Sequence, residues 1–271
     1  MSIQVSSVDL PTGVTLNYAE QGSPSGIPVV FPHGISDSWR SFELILPRLP
    51  DSVRAIALTQ RGHGDSSRPE SAYWFKDYSD DLTAFLDALK IDKAVVVGHS
   101  LGASNGLKFA IDHADRLSGL LLISAFASYT KSEAPHALWE AVSDMPDPVD
   151  PGFIREFQES TLGRPIPDAF FQTILSESQK LPAQVWRAVV KCNLEDDDLL
   201  QEAYKIRAPT LLVRGEKDEL VSQEDAEALK REILNARLLV HEGVGHAVHW
   251  EDPDRFAAEL KSFLETEVGG F

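Results

Sequence analysis

The chain has 271 residues, 43% of them apolar and 25% charged, the balance of a soluble globular protein that can bury a sizeable core. Acidic side chains outnumber basic ones 42 to 25, and the net charge of −17 argues against a broad nucleic-acid or anionic-membrane surface, because like charges repel. The single cysteine, Cys192, allows no intrachain disulfide, no apolar run approaches the roughly 20 residues of a membrane span, and the first residues lack the basic cluster and apolar run of a leader, so a cytoplasmic location is expected.

In chain order, Val14 to Ala19 follows the turn signal Pro11-Thr12-Gly13 and is expected to pair back on Ile3 to Val8 as a hairpin. Pro28 to Phe31 and Val53 to Leu58 are short apolar runs that suit strands covered on both faces. Tyr78 to Leu89 reads as a helix, with Leu82, Phe85, Leu86 and Leu89 at i, i+3, i+4 and i+7. Ala94 to Val97 is a β-branched run too short for a helix. Ala103 to His113 is a second helix, and Leu117 to Ile123 another buried strand.

From Phe126 to Ile206 this alternation stops. The stretch holds seven of the 16 prolines and nine of the 23 Trp, Tyr and Phe residues, with no strand-like run. Three short helices are predicted there, at Phe153 to Ser160, Asp168 to Ser178 and Ala183 to Cys192, and the acidic run Glu195 to Asp198 reads as a solvated helix start rather than a metal site. The strand–helix rhythm then returns with Thr210 to Val213, a helix capped by Ser222 with Asp225 three residues on, Arg237 to Val240, and a last helix opened by Asp252-Pro253. The fold class is α/β, a mostly parallel central sheet with helices on both faces. The expected organisation is a core of residues 1–125 and 207–271 with a helical cap, 126–206, inserted into it.

Gly98-His99-Ser100-Leu101-Gly102 directly follows the strand ending at Val97 and precedes a helix. Gly-x-Ser-x-Gly in that setting is a nucleophile elbow: the chain reverses sharply, glycines leave room for the turn, and the serine hydroxyl is lifted to the positive end of the helix. Gly102 and Gly106, four apart, allow that helix to pack closely.

With these motifs in place the sequence resembles the α/β-hydrolase fold superfamily, and in particular its capped, esterase-like branch. The likeness runs along nearly the whole chain. His33-Gly34 resembles that family's oxyanion loop, and Arg61-Gly62-His63-Gly64-Asp65-Ser66 its Gly-rich loop after the next strand. The family order of serine, acid and histidine implies Ser100 as nucleophile, Asp218 in Gly215-x-x-Asp218-x-x-Val221 as orienting acid, and His246 in Gly243-Val244-Gly245-His246 as base. Glu216 and Glu219 are then solvated loop charges, and His249 packs near Trp250. The resemblance also implies an oxyanion hole from the backbone N–H groups of Leu101 and Ile35. His33, Trp39, Phe157 and Trp186 are the candidate substrate contacts; His33 supports its loop on the competing reading, and Trp39 and Trp186 pack as core. Cys192 is expected to be a small buried apolar residue.

The implied activity is that of a serine hydrolase cleaving a carboxylic ester of a small or medium apolar substrate through an acyl-enzyme, with no cofactor and no metal. The same residue set also suits carbon–carbon bond hydrolysis, lactone opening, cofactor-free perhydrolysis, or a ligand receptor with little turnover. Small molecules are the expected partners, not nucleic acid or membrane, and the oligomeric state is left open.

Overall fold

The computed structural model describes residues 2–196 and 199–269. Among the described residues eight strands form one sheet: β1 (Gln4–Asp9), β2 (Thr15–Gln21), β3 (Ile27–Pro32), β4 (Val53–Leu58), β5 (Ala94–His99), β6 (Leu117–Ile123), β7 (Thr210–Gly215) and β8 (Ala236–His241). Their order across the sheet is β1-β2-β4-β3-β5-β6-β7-β8. β1 and β2 form the expected antiparallel hairpin and β2 is antiparallel to β4, while every pairing from β4 onward is parallel.

The period-two alternation of side chains divides the core between the two faces. Val30, Ile56, Val96, Leu120 and Leu122 point to one face, against α1 (Phe75–Ala88) and α2 (Leu101–Asp112). Val29, Val95, Val97, Leu121 and Val213 point to the other, against Phe42 and the last helix, α9 (Pro253–Phe263). Because both faces are covered, Val95, Val96 and Val97 are all fully buried, which is why β5 reads as an unbroken apolar run.

Between β6 and β7 lie α3 (Glu133–Val142), α4 (Pro151–Ser160), α5 (Asp168–Ser178) and α6 (Ala183–Glu195), with a shorter helical turn at Leu199–Lys205. α4, α5 and α6 match the three helices expected from the sequence. α3 was not anticipated: Pro135, Leu138, Trp139 and Val142 form its apolar face, but a proline within the run reads as a helix breaker, whereas here it falls in the first turn, where a missing N–H leaves no intrahelical bond unmade. Glu195 ends α6 instead of starting a helix, and Asp197 and Asp198 lie outside the described residues. Cys192 is half-buried rather than fully buried.

α1 starts at Phe75, three residues earlier than the apolar spacing suggests, because Asp77 accepts the Trp74 N–H at 2.9 Å and satisfies a free helix-start donor. α7 (Gln223–Glu232) has the anticipated cap: Ser222 Oγ accepts from Asp225 N at 3.1 Å and Asp225 accepts the Ser222 N–H at 3.2 Å. α8 (Val248–Glu251) is a single turn ahead of α9. Among the described residues no helix is long and apolar enough to cross a membrane.

Candidate active site

Ser100 stands between β5 and α2 with φ 52°, a left-handed conformation that a non-glycine residue adopts only when its surroundings impose it. The Ser100 N–H donates to Ile123 O at 3.0 Å, and Ser100 O accepts from the amides of Ala103 and Ser104. Glycine is required on both sides of the turn. A Cβ on Gly98 would lie 2.3 Å from Gly102 O, and one on Gly102 would lie 2.2 Å from Pro32 O.

His246 lies between β8 and α8. Its Nδ1 sits 3.0 Å and 3.1 Å from the two carboxylate oxygens of Asp218, so a proton on Nδ1 is donated to the carboxylate and Nε2 is the basic nitrogen. Asp218 Oδ1 also accepts from the amides of Leu220 and Val221, each at 3.0 Å. Burial works to raise the Asp218 pKa, but His246 beside it and the backbone bonds outweigh that and hold it below the usual carboxylate range. Glu216 and Glu219, the acidic neighbours, are exposed, and Glu216 accepts the Gly243 N–H.

Ser100 and His246 line one cavity, whose wall also includes Ile35 and Leu101. Among the described residues neither the Leu101 nor the Ile35 N–H has a hydrogen-bond acceptor. Leu101 is the first residue of α2, where amides have no intrahelical partner and the helix dipole favours negative charge. The cavity volume is about 70 Å³. The wall is chiefly apolar, with Phe126, Leu138, Phe157, Val190 and Trp250 prominent. Of these Leu138, Phe157 and Val190 come from α3, α4 and α6, so the helices between β6 and β7 supply part of the enclosure.

Of the four candidate substrate contacts only Phe157 faces this cavity. His33 is fully buried beneath the loop: its Nδ1 donates to Gly34 O at 2.7 Å and its Nε2 accepts the Gln60 N–H at 3.0 Å. Burial, with His63 nearby, drives its pKa well below the ordinary imidazole value, which keeps it in this neutral bracing role. Trp39 packs among Phe31, Phe42 and Ile45 on the opposite face of the sheet. Trp186 is fully buried and meets Phe157 edge-on at 5.1 Å, backing the cavity wall instead of forming it. His249 packs as anticipated, stacked on Phe42 and within 3.1 Å of Ser41 Oγ.

Several residues around the cavity went unread. Asp37 is buried in its wall and its pKa is pushed up to about 8, chiefly by burial, against the opposing effect of hydrogen bonds from Gln158 and Ser41. Ser124, with φ 51°, directs its hydroxyl to His246 O at 2.8 Å. Glu251 accepts the amides of Gly245, Gly163 and Arg164. The position of Asp37 two residues after the Ile35 amide was the one available signal; the others act through long-range contacts. Among the described residues no three His, Cys, Asp or Glu side chains gather as a metal-ligand set.

The chain belongs to the alpha/beta hydrolase family, whose model matches residues 29–259. It is 30% identical over 263 residues to 2-(acetamidomethylene)succinate hydrolase of Mesorhizobium japonicum, covering 93% of this chain and 92% of that protein. It is 29% identical over 272 residues to 2-hydroxymuconate semialdehyde hydrolase of a Pseudomonas species, covering 94% and 92%. Among solved structures it superposes on an esterase from Exiguobacterium antarcticum with a TM-score of 0.87 and 25% identity, over 97% of this chain and 100% of that one.

Proposed function

We propose that this hydrolase cleaves carboxylic esters of small or medium, uncharged, apolar substrates, with Ser100 as nucleophile, His246 as base and Asp218 as the group that orients it. The observation that carries the reading is the pairing of a strained elbow serine with an Asp218-bonded histidine in the wall of one cavity. Ser100 Oγ attacks the ester carbonyl as His246 Nε2 takes its proton. The Leu101 and Ile35 amides receive the oxyanion, and His246 returns the proton to the departing alcohol. Water, deprotonated by His246, then releases the acid and frees Ser100. Residues 126–206 act as the cap over this centre and contribute to the choice of acyl group.

The charge of the cavity supports an uncharged substrate. A succinate-derived substrate such as the Mesorhizobium relative's name describes carries carboxylates, which call for cationic partners. No Lys or Arg lies among the described residues of this wall, and Asp37 would repel an anion once ionised. The identity to the semialdehyde hydrolase keeps carbon–carbon hydrolysis as the second reading. The test is multiple turnover of p-nitrophenyl esters of graded acyl length, beside a vinylogous diketone. Ser100→Ala should lose at least a thousandfold in kcat while staying folded. Full activity in that variant would remove Ser100 as nucleophile, preference for the diketone would favour the second reading, and absence of turnover on both substrates would favour a receptor.

A further inference from the structure

The last turn of α4 touches both halves of the centre. On one side Gln158, only 1% exposed, directs its Nε2 to Ser36 Oγ at 3.1 Å, Asp37 Oδ1 at 3.1 Å and Ser178 Oγ at 2.9 Å. Ser36 directly follows the Ile35 amide and has φ 67°. On the other side Thr161, the residue that ends α4, accepts the His246 N–H at 2.8 Å through its carbonyl. The two contacts are linked, since Thr161 Oγ1 donates to Gln158 O at 2.7 Å. Phe157, the residue before Gln158, faces the substrate cavity.

We propose that Gln158 is a positioning residue for the oxyanion loop, and that the end of α4, through the Gln158 side chain and the Thr161 carbonyl, sets that loop and the His246 loop in register with each other. The inference rests on the catalytic reading of Ser100, His246 and the Ile35 amide given above. A left-handed serine is strained and persists only where its surroundings hold it. Gln158 supplies that hold from a helix that also lines the cavity. Released from it, residues 35–37 relax, and the Ile35 N–H leaves the position where the oxyanion forms. A misplacement of about 1 Å costs on the order of a hundredfold in rate, and loss of one oxyanion donor 10²- to 10³-fold. The helix over the cavity therefore belongs to the catalytic apparatus through its contacts, although it supplies no reacting group.

The experiment compares wild type, Gln158→Leu, Ser36→Ala and Ser100→Ala, using p-nitrophenyl acetate turnover and a trifluoromethyl ketone that mimics the tetrahedral adduct. Gln158→Leu keeps the volume and removes the donor. It is expected to lower kcat 10- to 100-fold with KM changed less than threefold, and to weaken the ketone by the same factor as kcat/KM. Ser36→Ala, which removes one acceptor, is expected to lose 3- to 10-fold in the same two quantities, and it decides the matter if Gln158→Leu fails to fold. A folded Gln158→Leu within threefold of wild type, or a rate loss with ketone affinity unchanged, overturns the proposal. If Ser100→Ala is inactive while Gln158→Leu is normal, the positioning role alone falls. If Ser100→Ala retains turnover, the catalytic reading falls and takes the positioning role with it.

Discussion

Gly163 and Gly245 meet backbone to backbone: a Cβ on Gly245 would lie 2.3 Å from Gly163 N, and one on Gly163 would lie 2.5 Å from Gly245 N. Gly163 follows α4 and Gly245 immediately precedes His246, and the Glu251 carboxylate accepts both amides, each at 3.0 Å. Only hydrogen in place of a side chain on both residues permits this approach. Gly163→Ala is therefore expected to destabilise the fold by about 1–3 kcal/mol through overpacking and to lower kcat about tenfold by displacing the His246 loop. Thermal unfolding and steady-state kinetics on the same preparation check it; an alanine variant equal to wild type in both would show that the backbones can part without consequence.

The three carboxylates near the end of β7 should separate sharply in kinetics. Asp218→Asn removes the charge that fixes the His246 tautomer and is expected to lower kcat by about 10⁴. Exposed Glu216 and Glu219, changed to glutamine, should leave kcat within threefold. Comparable losses at all three positions would point to general loop electrostatics in place of a specific orienting group.

Asp37 should make stability depend on pH in an unusual direction. Its folded pKa, about 8, lies above the ordinary carboxylate value of 3.8, so between those values the folded chain holds a proton that the unfolded chain has lost. Unfolding then releases a proton, and the contribution of Asp37 falls as pH rises from about 4 to about 8 and is level above that. Asp37→Asn keeps the shape and cannot ionise. The wild-type minus variant difference in unfolding free energy, from urea titrations at pH 5, 7 and 9, should become steadily less favourable to wild type. Glu177, whose charge adds to the rise in the Asp37 pKa, is unchanged in the comparison. A difference independent of pH would mean that Asp37 is ionised in the folded protein throughout.

Phe157 and Trp186 should respond differently to truncation, although both are aromatics of the same helical stretch. Phe157→Ala opens the cavity wall and is expected to shift kcat/KM toward longer acyl chains by about tenfold, read across acetyl, butyryl, octanoyl and benzoyl esters. Trp186→Ala, deep behind that wall, is expected chiefly to cost about 3–5 kcal/mol of stability. An unchanged acyl ranking in a folded Phe157→Ala would remove α4 from substrate selection.

The legible parts of the fold were those written in local pattern. β6 was legible to its end residues because Leu117 to Ile123 is a nearly unbroken apolar run, covered on both faces of the sheet. α3 has a stripe at Pro135, Leu138, Trp139 and Val142, but the proline within it hides the helix until its place in the first turn is known. Ser100, Asp218 and His246 could be nominated because each follows the end of a strand in a recognisable order of motifs. Asp37 and Gln158 could not, because their hydrogen bond joins residues 121 positions apart. Trp39 and Trp186 misled for a related reason: an aromatic near a site in sequence and one in its wall look the same until packing separates them.

The placement of β7 and β8 after the helical stretch also has a consequence in time. A ribosome adds Ser100 to the chain long before it reaches Asp218 or His246, and the His246 loop, made late, finds its seat on the Thr161 carbonyl. On the proposed mechanism a nascent chain would carry a nucleophile without its base, and could neither acylate itself nor attack cellular esters. Activity would switch on only when the closing segment docks, as the last act of folding.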